Sequence, residues 1–338
     1  MSQHHGARRS STQLTLQAAF SHTTLPVLPT TSGPIDVVDL FCGVGGFSEG
    51  ARLAGHRVVL AVDSNKSALD AHKLNHPSAV HELANLPAEN LQQLLPSAGT
   101  KWHLHGSPPC TKLSRAGGTN RSVSDRAEGL FLVNWFLNLV AEVGCTTWSM
   151  EQVAQEDVLE ELAARKKAAP HIYAYHVVNM AHFGVPQERK RVIAGSPALV
   201  SRMQGRADPL RAPRVMDVIP DHPALAVGIK GRRATLGRKW YKKHAKAFQT
   251  PINKIPMELR MKRGGLSRPA PTVLASSPHR WVDATGKTIV TLSLREHAAL
   301  QSFPAEYHFS RLSKRALTEI GNAIPPRMAF ELMTEWRG

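Results

Sequence analysis

Four short stretches of this sequence carry side chains, or backbone, able to do chemistry. Gly106-Ser107-Pro108-Pro109-Cys110 offers a thiol directly after two prolines. Proline fixes φ, so the approach is stiff and Cys110 is presented in a defined place, where a thiol can serve as an activated nucleophile. A lone cysteine equally serves as a small buried hydrophobe. Glu151-Gln152-Val153 adds a carboxylate, which could instead be a solvated strand end. In Gln187-Glu188-Arg189-Lys190-Arg191, residues 187, 189 and 191 share one face of an extended chain, so an amide and two guanidinium groups project together. A salt-bridged surface would use the same residues. Finally, Asp39 leads into Phe41-Cys42-Gly43-Val44-Gly45-Gly46-Phe47, and a second acid, Asp63, follows. A glycine loop with an acid roughly 20 residues on is a general nucleotide-type signature, although glycines also serve tight packing alone.

These residues need a frame. IDVVDL (35–40), RVVLAV (57–62), WHLHG (102–106), TTWSM (146–150), IYAYHVV (172–178) and KRVIAG (190–195) read as strands. Helical spacing occupies segments near 47–54, 66–75, 126–143 and 155–166, and returns at 293–301 and 325–336. The alternation predicts an α/β fold, a doubly wound, mostly parallel sheet with helices on both faces and ligands beyond the carboxyl ends of the strands. It places the glycine loop, Asp63, Cys110 and Glu151 at one edge. Lys and Arg total 42 against 26 acids, a net charge of +16, which suits a polyanionic partner or a solvated basic surface. Three cysteines are too few for a disulfide framework, and their spacing fits no metal site. No apolar run approaches the roughly 18 residues of a membrane helix. An intracellular protein is expected.

Taken in order, DLFCGVGGFS, Asp63, SPPC, MEQV, QERKR and GNAIPP resemble the successive motifs of the DNA cytosine-5 methyltransferases. RPAPTVLASS (268–277) and LREHAALQSFPAEYHF (294–309) resemble the segments before the last of them. The resemblance implies a class I methyltransferase fold of Rossmann-like type, with S-adenosylmethionine as cofactor and S-adenosylhomocysteine as product. It implies Cys110 as the thiolate that adds to carbon 6 of a flipped cytosine, and Glu151 as the contact to N3 and the exocyclic amine. Arg189 and Arg191 would steady the pyrimidine carbonyl and the catalytic loop. Phe41, Gly43, Val44, Gly45 and Gly46 would line the methionine portion and Asp63 the ribose. Glu82, followed by Leu83, stands where the family has an Asp for the adenine amino group; Pro108 and Leu130 would wall the adenine, and Asn322 and Ala323 would close the site. The sequence departs from the family at Ser64, where a large apolar residue usually meets adenine, at Gln152 for Asn, and at Thr111 for Gln.

The expected organisation is a tail (1–33), a cofactor-binding and catalytic domain (34–200), a basic target-recognition region (201–265), and a segment (266–338) returning to the catalytic domain. The tail reads as disordered. Being acid-free it also reads as a transit peptide, and Gln13–Phe20 loosely resembles a sliding-clamp motif. Double-stranded DNA is the expected partner of a monomeric enzyme in the cytoplasm or nucleoid, or the nucleus of a eukaryotic host. A tRNA-methylating branch shares the motifs, but its Cys-Phe-Thr element is missing here. A catalytically silent nucleic-acid-binding relative is the other alternative.

Overall fold

The structure, a computed structural model, describes residues 33–97, 99–109, 123–219, 224–229, 268–276, 278–283 and 289–334. Cys110, the loop that follows it, most of the basic region and the clamp-like segment lie outside the described residues.

Seven strands form the central sheet. In chain order they are β1 (Asp36–Leu40), β2 (Arg57–Asp63), β3 (Val80–Leu83), β4 (Trp102–Gly106), β5 (Thr147–Gln152), β6 (Ala174–Asn179) and β8 (Lys190–Gly195); the two-residue β7 (Gln187–Glu188) lies outside it. Their spatial order is β3-β2-β1-β4-β5-β8-β6. The pairs from β3 to β5 are parallel, while β8 runs antiparallel between β5 and β6. The order reverses between β1 and β4, and at such a point the crossovers leave a crevice beyond the strand ends. Because β8 is reversed, its first residues lie at the edge where β1, β2, β4 and β5 finish.

Burial on both faces explains the apolar runs. On one face, Val37 and Ile193 pack with Phe47 and Ala51 of α1 (Gly46–Leu53). On the other, Val38, Leu40 and Leu104 pack with Val133, Phe136 and Leu137, from the helix spanning Val123–Glu142. Helix α2 (Lys66–Asn75) begins at Asn65, whose side chain accepts from the Ser67 and Ala68 amides and satisfies two otherwise unpaired donors. Strand β3 and the helix Ser313–Asn322 are additions to the elements expected from sequence pattern. Of these, β3 is a short edge strand with no buried residue, whereas the helix buries Ala316, Ile320 and Gly321 along one face.

A final helix, α3 (Pro326–Met333), packs along α1. The helices meet backbone to backbone: a Cβ on Gly46 would lie 2.1 Å from the Ile324 carbonyl oxygen, and one on Gly50 2.4 Å from the Pro326 carbonyl oxygen. At the far end of α3, buried Glu331 gathers Arg206, Arg211 and Arg327. Residues 224–229, 280–283 and 289–291 form a separate three-stranded antiparallel sheet. Among the described residues no helix is long and apolar enough to cross a membrane.

Candidate active site

Most of the described candidate residues sit at one edge of the sheet or in the loops leaving it; Leu130 lies in the helix Val123–Glu142, and Asn322 and Ala323 at the end of the helix Ser313–Asn322. Phe41 turns the chain out of β1 with φ 58°, a left-handed conformation uncommon for a non-glycine residue and found where a loop is held in a special shape. Gly43 follows with φ 53°, and the space where its Cβ would stand is open. The shape of this loop is set by Asp63 at the end of β2. Its Oδ2 accepts the Gly43 amide at 2.8 Å and its Oδ1 the Asn65 amide at 2.7 Å. Burial pushes the Asp63 carboxyl up from the ordinary range, against these hydrogen bonds. From the far side, Tyr307 donates its hydroxyl to the carbonyls of Val44 at 2.7 Å and Gly45 at 3.1 Å.

The loop therefore has two sides. Phe41 and Gly43 are half-exposed. Val44 buries its side chain in the cluster of Phe303, Tyr307 and Ile320, and Gly46 is covered by Ile324, so neither contributes more than backbone to a ligand. Ala323 comes within 3.1 Å of the Gly46 Cβ position, bringing the Gly-Asn-Ala segment back to the loop, while Asn322 stays exposed. Across the edge, Ser64 and Leu83 are exposed and Glu82 is half-exposed, its Oε1 accepting from Asn90 at 3.4 Å. Leu130 is half-buried beside the core, and Pro108 is buried.

The second cluster centres on Glu151, near the end of β5. Its Oε1 lies 3.0 Å from Arg191 Nε and 3.8 Å from Arg189 Nη2, the carboxylate being 9% exposed and Arg189 2%. The Arg189 contact is too long for a hydrogen bond and the Arg191 contact is not aligned as one, so among the described residues this buried oxygen has no hydrogen-bonding partner. The three residues expected on one face thus divide. Arg189 and Arg191 turn to Glu151. Gln187 turns away to hold the C-terminal segment, donating to the Leu300 carbonyl at 2.8 Å and to Gln301 and accepting the Val273 amide at 2.9 Å. Arg189 also reaches the Gly321 carbonyl at 3.2 Å.

Gln152 supplies a link between the two chemistries. Its Nε2 donates to the Pro108 carbonyl at 3.0 Å and its Oε1 accepts the Val153 amide at 2.7 Å, so β5 grips the backbone two residues before Cys110. Neither this contact nor that of Tyr307 has a spacing signature; each joins residues far apart in sequence.

Fold and edge together are those of a class I methyltransferase. A DNA modification methyltransferase described as encoded within an E. coli prophage superposes with a TM-score of 0.59 at 21% identity, covering 88% of this chain and 97% of that one. The S. pombe Dnmt2 methyltransferase does so with a TM-score of 0.58 at 16% identity, covering 88% and 96%. At these identities the likeness is one of fold. The sequence profile of the C-5 cytosine-specific DNA methylases matches residues 35–197 and 226–337, and the chain belongs to that family of DNA cytosine-5 methyltransferases. Among individual relatives, the type II methyltransferase M.HgiDI of Herpetosiphon aurantiacus is 25% identical over 88% of this chain and 92% of its own length. M1.HphI of Haemophilus parahaemolyticus is 26% identical over 86% and 84%.

Proposed function

We propose that the chain methylates carbon 5 of a flipped cytosine in double-stranded DNA through a covalent adduct on Cys110, with S-adenosylmethionine as donor. The observation carrying this reading is the buried Glu151 carboxylate, flanked by two guanidinium groups and with its Oε1 lacking a hydrogen bond among the described residues, at the edge toward which Pro108 and Pro109 lead.

Cytosine carbon 5 is too weak a nucleophile to take a methyl group while the ring stays conjugated. The Cys110 sulfur adds to carbon 6, forming a C–S bond and moving the ring electrons toward carbon 5 and N3. Glu151 holds N3 and the exocyclic amine as charge develops there, and Arg191 and Arg189 fix the carboxylate. Bound S-adenosylmethionine supplies an electrophilic methyl group. Loss of the carbon-5 proton then drives elimination of the Cys110 thiolate and restores the ring. A stacked base exposes neither carbon, so the nucleotide leaves the duplex first.

The groove suits the donor. Gly43 faces open space, and each Asp63 oxygen keeps lone-pair capacity after its amide bond, as a ribose diol requires. Glu82 and exposed Leu83 stand next along the edge for the adenine. Ser64 brings no apolar face, which leaves Leu83 and Leu130 to supply it.

The test uses DNA duplexes of mixed sequence and tRNA, each carrying 5-fluorocytosine, on which elimination stalls. A cofactor-dependent covalent band is expected with DNA, lost in Cys110→Ser. A band with tRNA and none with any DNA would make this an RNA enzyme. No band with either would support a catalytically silent relative.

A further inference from the structure

Strand β4 buries two histidines that no step above uses. His103 and His105 alternate with Trp102 and Leu104, so both point to the α1 face, and both are 0% exposed. Apolar side chains there would be cheaper to bury, because each imidazole nitrogen taken from water needs a partner. All four nitrogens have one. His103 Nδ1 meets Thr147 Oγ1 at 2.8 Å and its Nε2 meets Ser149 Oγ at 2.8 Å. His105 Nδ1 meets the same Ser149 Oγ at 2.8 Å, and its Nε2 meets Ser107 Oγ at 2.9 Å.

Burial holds both rings neutral, His103 being pushed down to about 3 and His105 well below the usual range. A neutral ring carries one N–H, and the Ser149 hydroxyl has one proton. Ser149 therefore donates to at most one of the two rings and accepts from at least one, and the contacts join Thr147, His103, Ser149, His105 and Ser107 in one continuous chain.

His105 is the member where the site's parts meet. Its ring stacks on Phe47 at a centroid distance of 3.5 Å and an interplanar angle of 3°, directly after the glycine loop. Ser149 precedes Glu151 by two residues on the same face of β5, and Ser107 opens the Ser-Pro-Pro-Cys segment. An apolar ring could keep the stack but would leave these segments unlinked.

We infer that His105 is a positioning residue: through Ser107 it sets where the Cys110-bearing segment leaves the sheet, relative to the glycine loop and Glu151. Gln152 grips Pro108 from β5, so two consecutive residues are fixed from two strands. The inference rests on Cys110 being the nucleophile.

Three substitutions separate positioning from packing. Gln at 105 can place an amide where Nε2 stands and keep the Ser107 link. Asn reaches only the Nδ1 position, and Phe keeps only the stack. With the folded fraction matched from thermal melts, His105→Gln is expected to retain kcat within about 5-fold, while His105→Asn and His105→Phe lose about 20- to 100-fold, with KM for cofactor and DNA changed by less than about 3-fold. Ser107→Ala, at a half-exposed position that tolerates the change, should lose as much as His105→Asn, and the double variant no more than either alone. Equal losses in all three His105 variants, losses confined to KM, or full kcat in Ser107→Ala would each overturn the inference. Single-turnover adduct formation on 5-fluorocytosine DNA tells the two failures apart. No adduct in the wild type removes the nucleophile reading and this inference with it. A wild-type adduct formed as fast by His105→Asn removes the positioning role alone.

Discussion

Asp63 performs two tasks that a substitution series can separate. Its carboxylate holds the Gly43 and Asn65 amides, and the proposed ribose contact uses what remains of the same oxygens. Charge-assisted hydrogen bonds contribute about 1.5–3 kcal/mol, so Asp63→Ala is expected to weaken S-adenosylmethionine by roughly 10- to 100-fold in calorimetry. Asp63→Asn keeps one carbonyl acceptor for the loop and should fall between the two. An unchanged dissociation constant in Asp63→Ala would remove this residue from the cofactor site. Gln152 is the second residue whose contacts decide its role. In Gln152→Ala the Pro108 carbonyl and the Val153 amide lose their buried partner, at a cost of about 1–3 kcal/mol in stability. Methyl transfer should fall by about 10-fold beyond what the folded fraction explains, since the segment before Cys110 loses a constraint. Denaturant melts with single-turnover rates read both effects.

At the scale of elements, the contact between α1 and α3 joins the two ends of the chain. It depends on glycine for room rather than for φ: a Cβ on Gly50 would stand 2.4 Å from the Ala329 Cβ and 2.4 Å from the Pro326 carbonyl oxygen. Gly50 is one turn along α1 from the glycine loop, so enlarging it tests the packing of α1 on α3. Gly50→Ala is expected to cost about 1–3 kcal/mol, the usual penalty of overpacking, despite alanine's better helix propensity. A denaturant midpoint equal to or above that of the wild type would mean that α3 can shift outward freely. The same contact accounts for the placement of Ala323 beside the loop, because Pro325 and Pro326 lead straight from it into α3.

At the scale of the whole molecule, several buried histidines are held neutral among the described residues. Burial pushes His76 and His103 down to about 3, and His72 and His105 also lie well below their ordinary values. Below about pH 6.5 the unfolded chain takes up protons on these rings that the folded chain refuses, so stability falls with acidification, by about 1.4 kcal/mol per pH unit for each ring. Asp39 has the opposite sign. Burial raises it from 3.8 to about 7, so between those values the folded state holds a proton that the unfolded state lacks, and stability is lost as pH rises. Burial raises Asp63 in the same direction, so two acids stand against four rings, and the histidines prevail. The melting temperature is expected to fall steeply from about pH 6.5 to about pH 4, and His76→Gln should flatten that slope by close to one proton. A melting temperature that holds or rises on acidification would mean that these rings are charged in the folded protein.

Much of this molecule was legible because its signals are local. Apolar runs bounded by turns marked β1, β2 and β8, the glycine loop announced itself after β1, and proline ahead of Cys110 and the acid at the end of β2 needed no partner to be recognised. Each depends on the backbone freedom or pattern of a few adjacent residues. What only the tertiary structure decided were the pairings between distant segments. β8 enters antiparallel between β5 and β6, and that reversal carries Arg189 and Arg191 to Glu151. Period-two spacing put Gln187 on the same face as the arginines, yet packing turned it to Gln301, because its buried amide needed partners that only the C-terminal segment offers. Strand β3 had no apolar run to betray it, since an edge strand buries little and owes its existence to β2. The histidines of β4 read in sequence as two polar residues in a short strand. Hydrogen bonds to β5 and a ring from α1 make them interior, and a linear pattern holds no trace of partners more than 40 residues away.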